Sequence, residues 1–265
     1  MPTVFVGHRK ACCVKRILEE GRRKILGNYF SPEYMAASFP VLLSYVGVSV
    51  FLTVISQSLA LVLGSCIALV RVQRLRWISN LFAAYISFIR GTPFLVQLYL
   101  ICFGLPRIIK ALGAEDIRAL PVVAFVVLVM VLHSAAYMSE IMRGSLESID
   151  KGQLEACYSI GMTTAEAYRR ILLPQAFRIA VPSLGNEVIS ALKSTSLVFN
   201  VGIVDMMSKA ELMGSYSYRS LELYLDAGII YVLLCFILHG LTELISNRHR
   251  LSGNAELVSE PATER

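Results

Sequence analysis

The chain of 265 residues is 55% hydrophobic with a mean hydropathy of +0.61, too apolar for an ordinary soluble domain. Its 25 Lys+Arg against 19 Asp+Glu give a formal charge of +6, but the basic residues fall in gaps between apolar runs. That pattern indicates membrane topology and argues against a nucleic-acid partner. The six cysteines (Cys12, Cys13, Cys66, Cys102, Cys157, Cys235) form no CxxC pair and have no histidine at ligand spacing, which argues against a disulfide framework or a metal centre.

Residues 1–34 form a polar, basic tail without the apolar core and cleavage site of a secretory signal. No charge occurs from Met35 to Val70, and the first span is expected at about 43–69, since about 20 residues cross a bilayer. Trp77 after Arg71, Arg74 and Arg76 suits a membrane interface. An interfacial helix is expected up to Phe88, and a second span from about 92 to 105, because an arginine at mid-span, as Arg90 would be, costs a few kcal/mol or more. The polar stretch Arg107–Arg118 leads to a third span, Ala119 to about Ser139.

The next stretch reads as helix, glycine turn, helix and proline stop. Asp150 with Gln153, and Thr163 with Glu166, have capping-box spacing; Gly161 punctuates, and Pro174 is expected to end the second helix. A short re-entering segment to about Val181 then precedes a fourth span, Pro182 to about Val204, with Pro182 in its first turn. A polar loop, Asp205–Glu222, separates it from a fifth span, about Leu223–Leu244, and the tail from Asn247 is expected to be disordered. Five spans put the termini on opposite sides. With the 150–174 loop inside, the loops obey the positive-inside rule but the basic N-terminal tail does not, which leaves a true start near Met35, favoured here, a tail folded on the outer surface, or a further feature of the topology.

Glu155, Ala156, Cys157, Gly161, Ile171, Leu173 and Pro174 fall on the spacing EAA, three residues, Gly, nine residues, I-x-L-P. This resembles the signature loop of ABC importer permeases, with Cys157 the single departure from an alanine. RGTP at 90–93, NEVI at 186–189, KSTSL at 193–197, and AAYMSEIMRG continuing to Ser148, Gly152 and Gln153 resemble the branch handling polar amino acids, including histidine, basic amino acids and opines. The resemblance runs from about Tyr45 to Leu244. It implies an all-α integral membrane protein of about five transmembrane helices, with a permease domain over 35–246, a coupling loop over 150–174 and a polar tail over 247–265. Gly152, Gln153, Glu155, Ala156, Cys157, Gly161, Leu173 and Pro174 would form the loop that docks in a cleft of a separate cytoplasmic ATPase. ATP and Mg would sit on that ATPase, and this chain would bind no cofactor. The other implied partners are a homologous or identical permease subunit, a periplasmic or lipid-anchored substrate-binding protein, and the lipid of a bacterial inner membrane.

The residues are consistent with that division of labour. There is no phosphate loop, no H-E-x-x-H, no G-x-S-x-G and no histidine pair at metal spacing, so no catalytic or metal set is visible. His133, Tyr137 and Glu140 in the third span, and Asn186 and Lys193 in the fourth, are candidates for a translocation path, because intramembrane polar groups are expensive unless they line water or pair. Alternatively, Glu140 marks the inner end of its span and pairs with Arg143 or Arg90, and the first turns of the fourth span stand in the cytosol. Two rival readings stand: a secondary amino-acid transporter driven by an ion gradient through Glu140 or Glu187, and a structural or signalling membrane subunit without transport. No internal repeat supports the former.

Overall fold

The computed structural model describes residues 30–73, 76–113, 117 and 120–258, with side chains for all of these except 76 and 248–258. Most of the basic tail lies outside the described residues. Among the described residues eight helices follow in order: α1 (Pro32–Val72), α2 (Arg76–Gly91), α3 (Phe94–Ala111), α4 (Val122–Glu147), α5 (Lys151–Ser159), α6 (Thr164–Val201), α7 (Met206–Ser217) and α8 (Ser220–Val258). Among the described residues four helices are long and apolar enough to cross a membrane, and a fifth crossing is available if bent α6 and α7 form one span.

Several boundaries differ from expectation for local reasons. α1 begins well before residue 43 because Ser31 caps it, accepting from the Tyr34 amide at 3.3 Å, with Pro32 in the first turn. α3 continues to Ala111, so Arg107 and Lys110 are helical and not in a loop. Neither Pro174 nor Pro182 begins or ends a helix: α6 runs through both. A π turn, Tyr168–Leu172, ends two residues before Pro174, and another, Leu100–Gly104, ends two residues before Pro106. The wider turn shifts the register where the proline ring lacks an N–H and crowds the carbonyl four residues back. The stretch read as a polar loop, 205–222, is packed helix. Asp205 is fully buried, caps α7 through the Ser208 amide at 2.9 Å and accepts from Ser49 of α1 at 3.2 Å. The backbone of α8 stays helical past Asn247 to Val258, against the expected disorder.

Small residues set the packing, as they must where lipid removes the hydrophobic drive between helices. α1 and α4 run parallel: Leu52 meets Val126 and Val129, while Ala60 and Ala68 share a cluster with Ala135, Met138 and Met142. α6 crosses the opposite way, placing Ala176, Ala180 and Leu184 in the same cluster. α8 closes the bundle with Leu223, Ala227 and Ile230 against Leu42 of α1 and Met206 of α7, and with Thr242 against Gly185. The end carrying α5 is called the inner end below.

Candidate functional site: a coupling loop and a polar cluster at mid-depth

The loop after α4 is built by local signals. Asp150 caps α5 by accepting from the Gly152 amide at 2.6 Å. Gln153 does not complete the expected box; its carboxamide oxygen accepts from Gln175 Nε2 at 2.7 Å, tying α5 to the start of α6. α5 ends in a Schellman motif: the Gly161 amide donates to the Tyr158 carbonyl and the Met162 amide to the Cys157 carbonyl, both at 3.0 Å, with Gly161 at φ +81°. Only glycine holds that conformation without strain. The Thr163–Glu166 capping box forms in full.

Within this loop Glu155 and Ala156 are exposed, whereas Cys157 is buried at 3%. Cys157 faces this chain's own interior, so of the two small residues after Glu155 only Ala156 is open. Leu173 is partly buried and Pro174 exposed. A cleft of about 710 Å³ lies behind α5, walled by Val72, Leu146, Tyr168 and Leu172 and edged by Glu147, Asp150 and Glu155.

The loop connects directly to an ion network. Glu140 accepts from Arg71 of α1 and from Arg143 Nη2 at 2.7 Å, and Arg143 also reaches Glu147 at 2.6 Å. Glu140 is therefore a paired carboxylate that clamps α1 to α4 at the inner end. Of its expected partners Arg143 is present; the other is Arg71, and Arg90 lies elsewhere.

Deeper in the bundle, His133 and Tyr137 of α4 meet the break between α2 and α3. The Arg90 guanidinium lies 5.4 Å from the Tyr137 ring centroid, and His133 packs between Phe94 and Tyr137 with centroids 5.1 Å from each. Gln97, 4% exposed, organises this group. Its Nε2 donates to the carbonyls of Ile89 (2.8 Å) and Thr92 (3.0 Å), satisfying the end of α2. Its oxygen faces His133 Nδ1 at 2.9 Å, so Nδ1 carries the proton that it accepts. The Gln97→Leu variant should be destabilised by about 2 kcal/mol through unpaired carbonyls, read as earlier thermal aggregation of the detergent-solubilised protein. An unchanged melting curve would mean that water already satisfies them.

Ser134 turns away from His133, accepting from Gln57 Nε2 at 2.7 Å and facing the Glu187 carboxylate of α6. Asn186, Ser190 and Lys193 do share one exposed face of α6. Lys193 borders clefts lined by Tyr231, Cys235 and His239 of α8, and among the described residues no hydrogen bond joins it or Asn186 to the His133 group. Sequence reasoning missed Gln97 and the Gln57–Ser134 pair. The available signal was a lone carboxamide in each otherwise apolar run.

Comparison with known proteins supplies independent findings. A family model described as the binding-protein-dependent transport system inner membrane component matches residues 60–251. The chain is 41% identical over 202 residues (76% of this chain, 88% of the relative) to a probable amino-acid ABC transporter permease of Vibrio harveyi. It is 38% identical over 223 residues (82% and 89%) to the octopine transport system permease of Rhizobium radiobacter. A solved amino acid ABC transporter crystallised with histidines superposes with a TM-score of 0.72 at 32% identity, covering 83% of this chain and 99% of that one.

Proposed function

The chain belongs to the binding-protein-dependent transport system inner membrane component family, and from that premise we propose that it forms half of a dimeric pore importing a polar amino acid across a bacterial inner membrane. It is a permease subunit of an amino-acid ABC importer and not an enzyme, and the family implies partner ATPase and substrate-binding subunits. ATP and Mg belong to the ATPase in this reading. The second pore subunit is a homologous or identical permease, and the binding protein is periplasmic or lipid-anchored. The substrate class is basic amino acids, histidine or opines, supported by the octopine permease among the relatives.

The observation that carries the coupling role is the loop. α5 presents exposed Glu155 and Ala156 at the inner end, its exit direction is set by Gly161, and Gln153–Gln175 ties it to α6. Gly152 lies in the first turn of the docking helix, its amide donating to the Asp150 cap, and Leu173 and Pro174 lie beyond it in α6. ATP-driven closure of the ATPase pair would draw two such loops together and rock the spans as rigid bodies.

The test is a detergent pull-down of the tagged chain from its host, beside Gly161→Asp. The wild type should bring down a P-loop ATPase. The variant should lose most of it while staying monodisperse, because an L-residue at this φ costs about 1 kcal/mol and redirects the loop. Uptake should fail on ATP depletion and survive collapse of the proton gradient. A wild-type chain that captures no ATPase sinks the reading, and gradient-dependent uptake would support the secondary transporter instead.

A further inference from the structure

Helices α6 and α8 run antiparallel, and where they cross, a side chain of one sits in a notch of the other. The notch is Gly185 of α6. A Cβ built there would overlap Thr242 Cγ2 and Oγ1 outright and lie 2.8 Å from Thr242 Cβ. Thr242 has little freedom to withdraw: it is β-branched, and its hydroxyl donates to the Leu238 carbonyl at 2.9 Å. On either side of this contact the helices part. Toward the inner end a cleft of about 360 Å³ lies between Phe177 and Val181 of α6 and Ile245 of α8. Toward the outer end a second cleft, of about 410 Å³, lies between Ile189 and Lys193 of α6 and Phe236 and His239 of α8.

The two helices are also fastened to different neighbours. α6 packs with α4 and α1 through Ala176, Ala180 and Leu184, and Gln175 ties it to α5. α8 is fastened at its outer end. There Glu222 accepts from the Ser31 amide at 2.9 Å, Asp226 accepts from the Ser38 hydroxyl at 2.5 Å, and Leu223, Ala227 and Ile230 cluster with Leu42 of α1 and Met206 of α7. The chain passes from α6 to α7 through a turn at Gly202 (φ +89°), and the two helices are bent by 49°. A close contact with open space on both sides, joining two separately fastened groups of helices, has the geometry of a fulcrum. We propose that α7 and α8 tilt on α6 about the Gly185–Thr242 contact, so that the inner cleft narrows as the outer cleft beside Lys193 widens, and the reverse. Phe177 and Lys193 each lie eight residues, about 12 Å, from Gly185, so the two arms are equal and a push from the α5 end is returned at Lys193 in the opposite sense. A rigid-body rotation of about 15° changes the separation across each cleft by about 2 Å. The proposal rests on the importer reading for the ATP-driven push.

Spin-label distances test it in the full complex, with the six native cysteines replaced and labelled chains diluted into unlabelled ones so that only distances within one chain are read. Phe177→Cys with Ile245→Cys spans the inner cleft, and Ile189→Cys with Phe236→Cys spans the outer one. Between nucleotide-free and ATP-bound complexes the two distances should shift by about 2 Å in opposite directions. Distances that stay fixed, as they would with a second subunit wedged into a cleft, or that shift in the same direction, overturn the proposal. Gly185→Ala should cut ATP-driven uptake about tenfold by favouring one tilt over the other. The swap Gly185→Ala with Thr242→Gly moves the notch to the other helix at little net cost in helix propensity, and should restore uptake. Uptake untouched by Gly185→Ala, or not restored by a swap that assembles, also overturns it. The distances are read without either substitution, so they decide the matter even where Gly185→Ala fails to assemble. A complex that captures no ATPase sinks the importer reading, whereas ATP-driven import with both distances fixed rejects the fulcrum and leaves the importer standing.

Discussion

Replacing Gly64 by leucine is expected to leave almost no folded protein to purify. Gly64 lies where the parallel helices α1 and α4 touch backbone to backbone. A Cβ built there would meet the Ala135 carbonyl oxygen and Met138 Cβ at 3.0 Å and the Ser139 amide at 3.1 Å. Two of those three atoms are backbone and cannot rotate away, so a leucine must push the helices apart along the seam that also seats Ala60 and Ala68. Overpacking of this kind costs about 3 kcal/mol or more, a large part of a marginal stability. Gly64→Ala should be tolerated, because a shift of a few tenths of an ångström is partly offset by alanine's better helix propensity of about 1 kcal/mol. Fluorescence-detected gel filtration of both variants checks this. A monodisperse leucine variant melting like wild type would show that the helices do not approach this closely.

The second large effect is expected at Glu140. Its carboxylate is shared by Arg71 and Arg143, whose side chains are only 18% and 29% exposed. Glu140→Ala leaves two partly buried cations facing each other without a counter-charge. Breaking a buried pair costs 3–5 kcal/mol, and partial exposure lowers that here to about 2 kcal/mol. Arg71→Leu added to Glu140→Ala should recover about half of the loss, since it removes one of the stranded charges. The double-mutant cycle, read as melting of the detergent-solubilised protein, measures the coupling directly. Additive losses would mean that α1 and α4 are held by apolar packing alone. Because Arg143 also grips Glu147 at the threshold of α5, the Glu140 variant should transmit nucleotide state to the spans poorly, seen as ATPase activity that no longer responds to substrate-loaded binding protein.

The legible and illegible parts of the molecule differ in kind. The coupling loop was legible because its signals are local: Asp150 and Thr163 as caps, and Gly161 as the left-handed residue that ends α5. The stripe of Asn186, Ser190 and Lys193 was legible from spacing alone. The continuity of α6 was not. Pro174 reads as a stop, and only the π turn before it, stabilised by α6 lying in a packed bundle, lets the helix pass. Nor was the division of α4 legible: His133, Ser134, Tyr137 and Glu140 look like one polar face in sequence. In space they serve three different neighbours, Gln97 with Arg90, Gln57 with Glu187, and Arg71 with Arg143.

By itself the sequence determined an all-helical membrane protein with a capped, glycine-broken loop on its basic side and a motif that resembles ABC importer permeases, because hydropathy, capping chemistry and a spaced motif are properties of consecutive residues. Tertiary structure alone decided which ring Arg90 lies against, which arginine besides Arg143 Glu140 holds and which way Cys157 points. Those depend on pairs far apart in the chain, such as Arg71 with Glu140 and Gln97 with His133. In a bilayer an unpaired polar group is costly enough that such pairs set the register of neighbouring helices, and no single stretch of sequence records its partner.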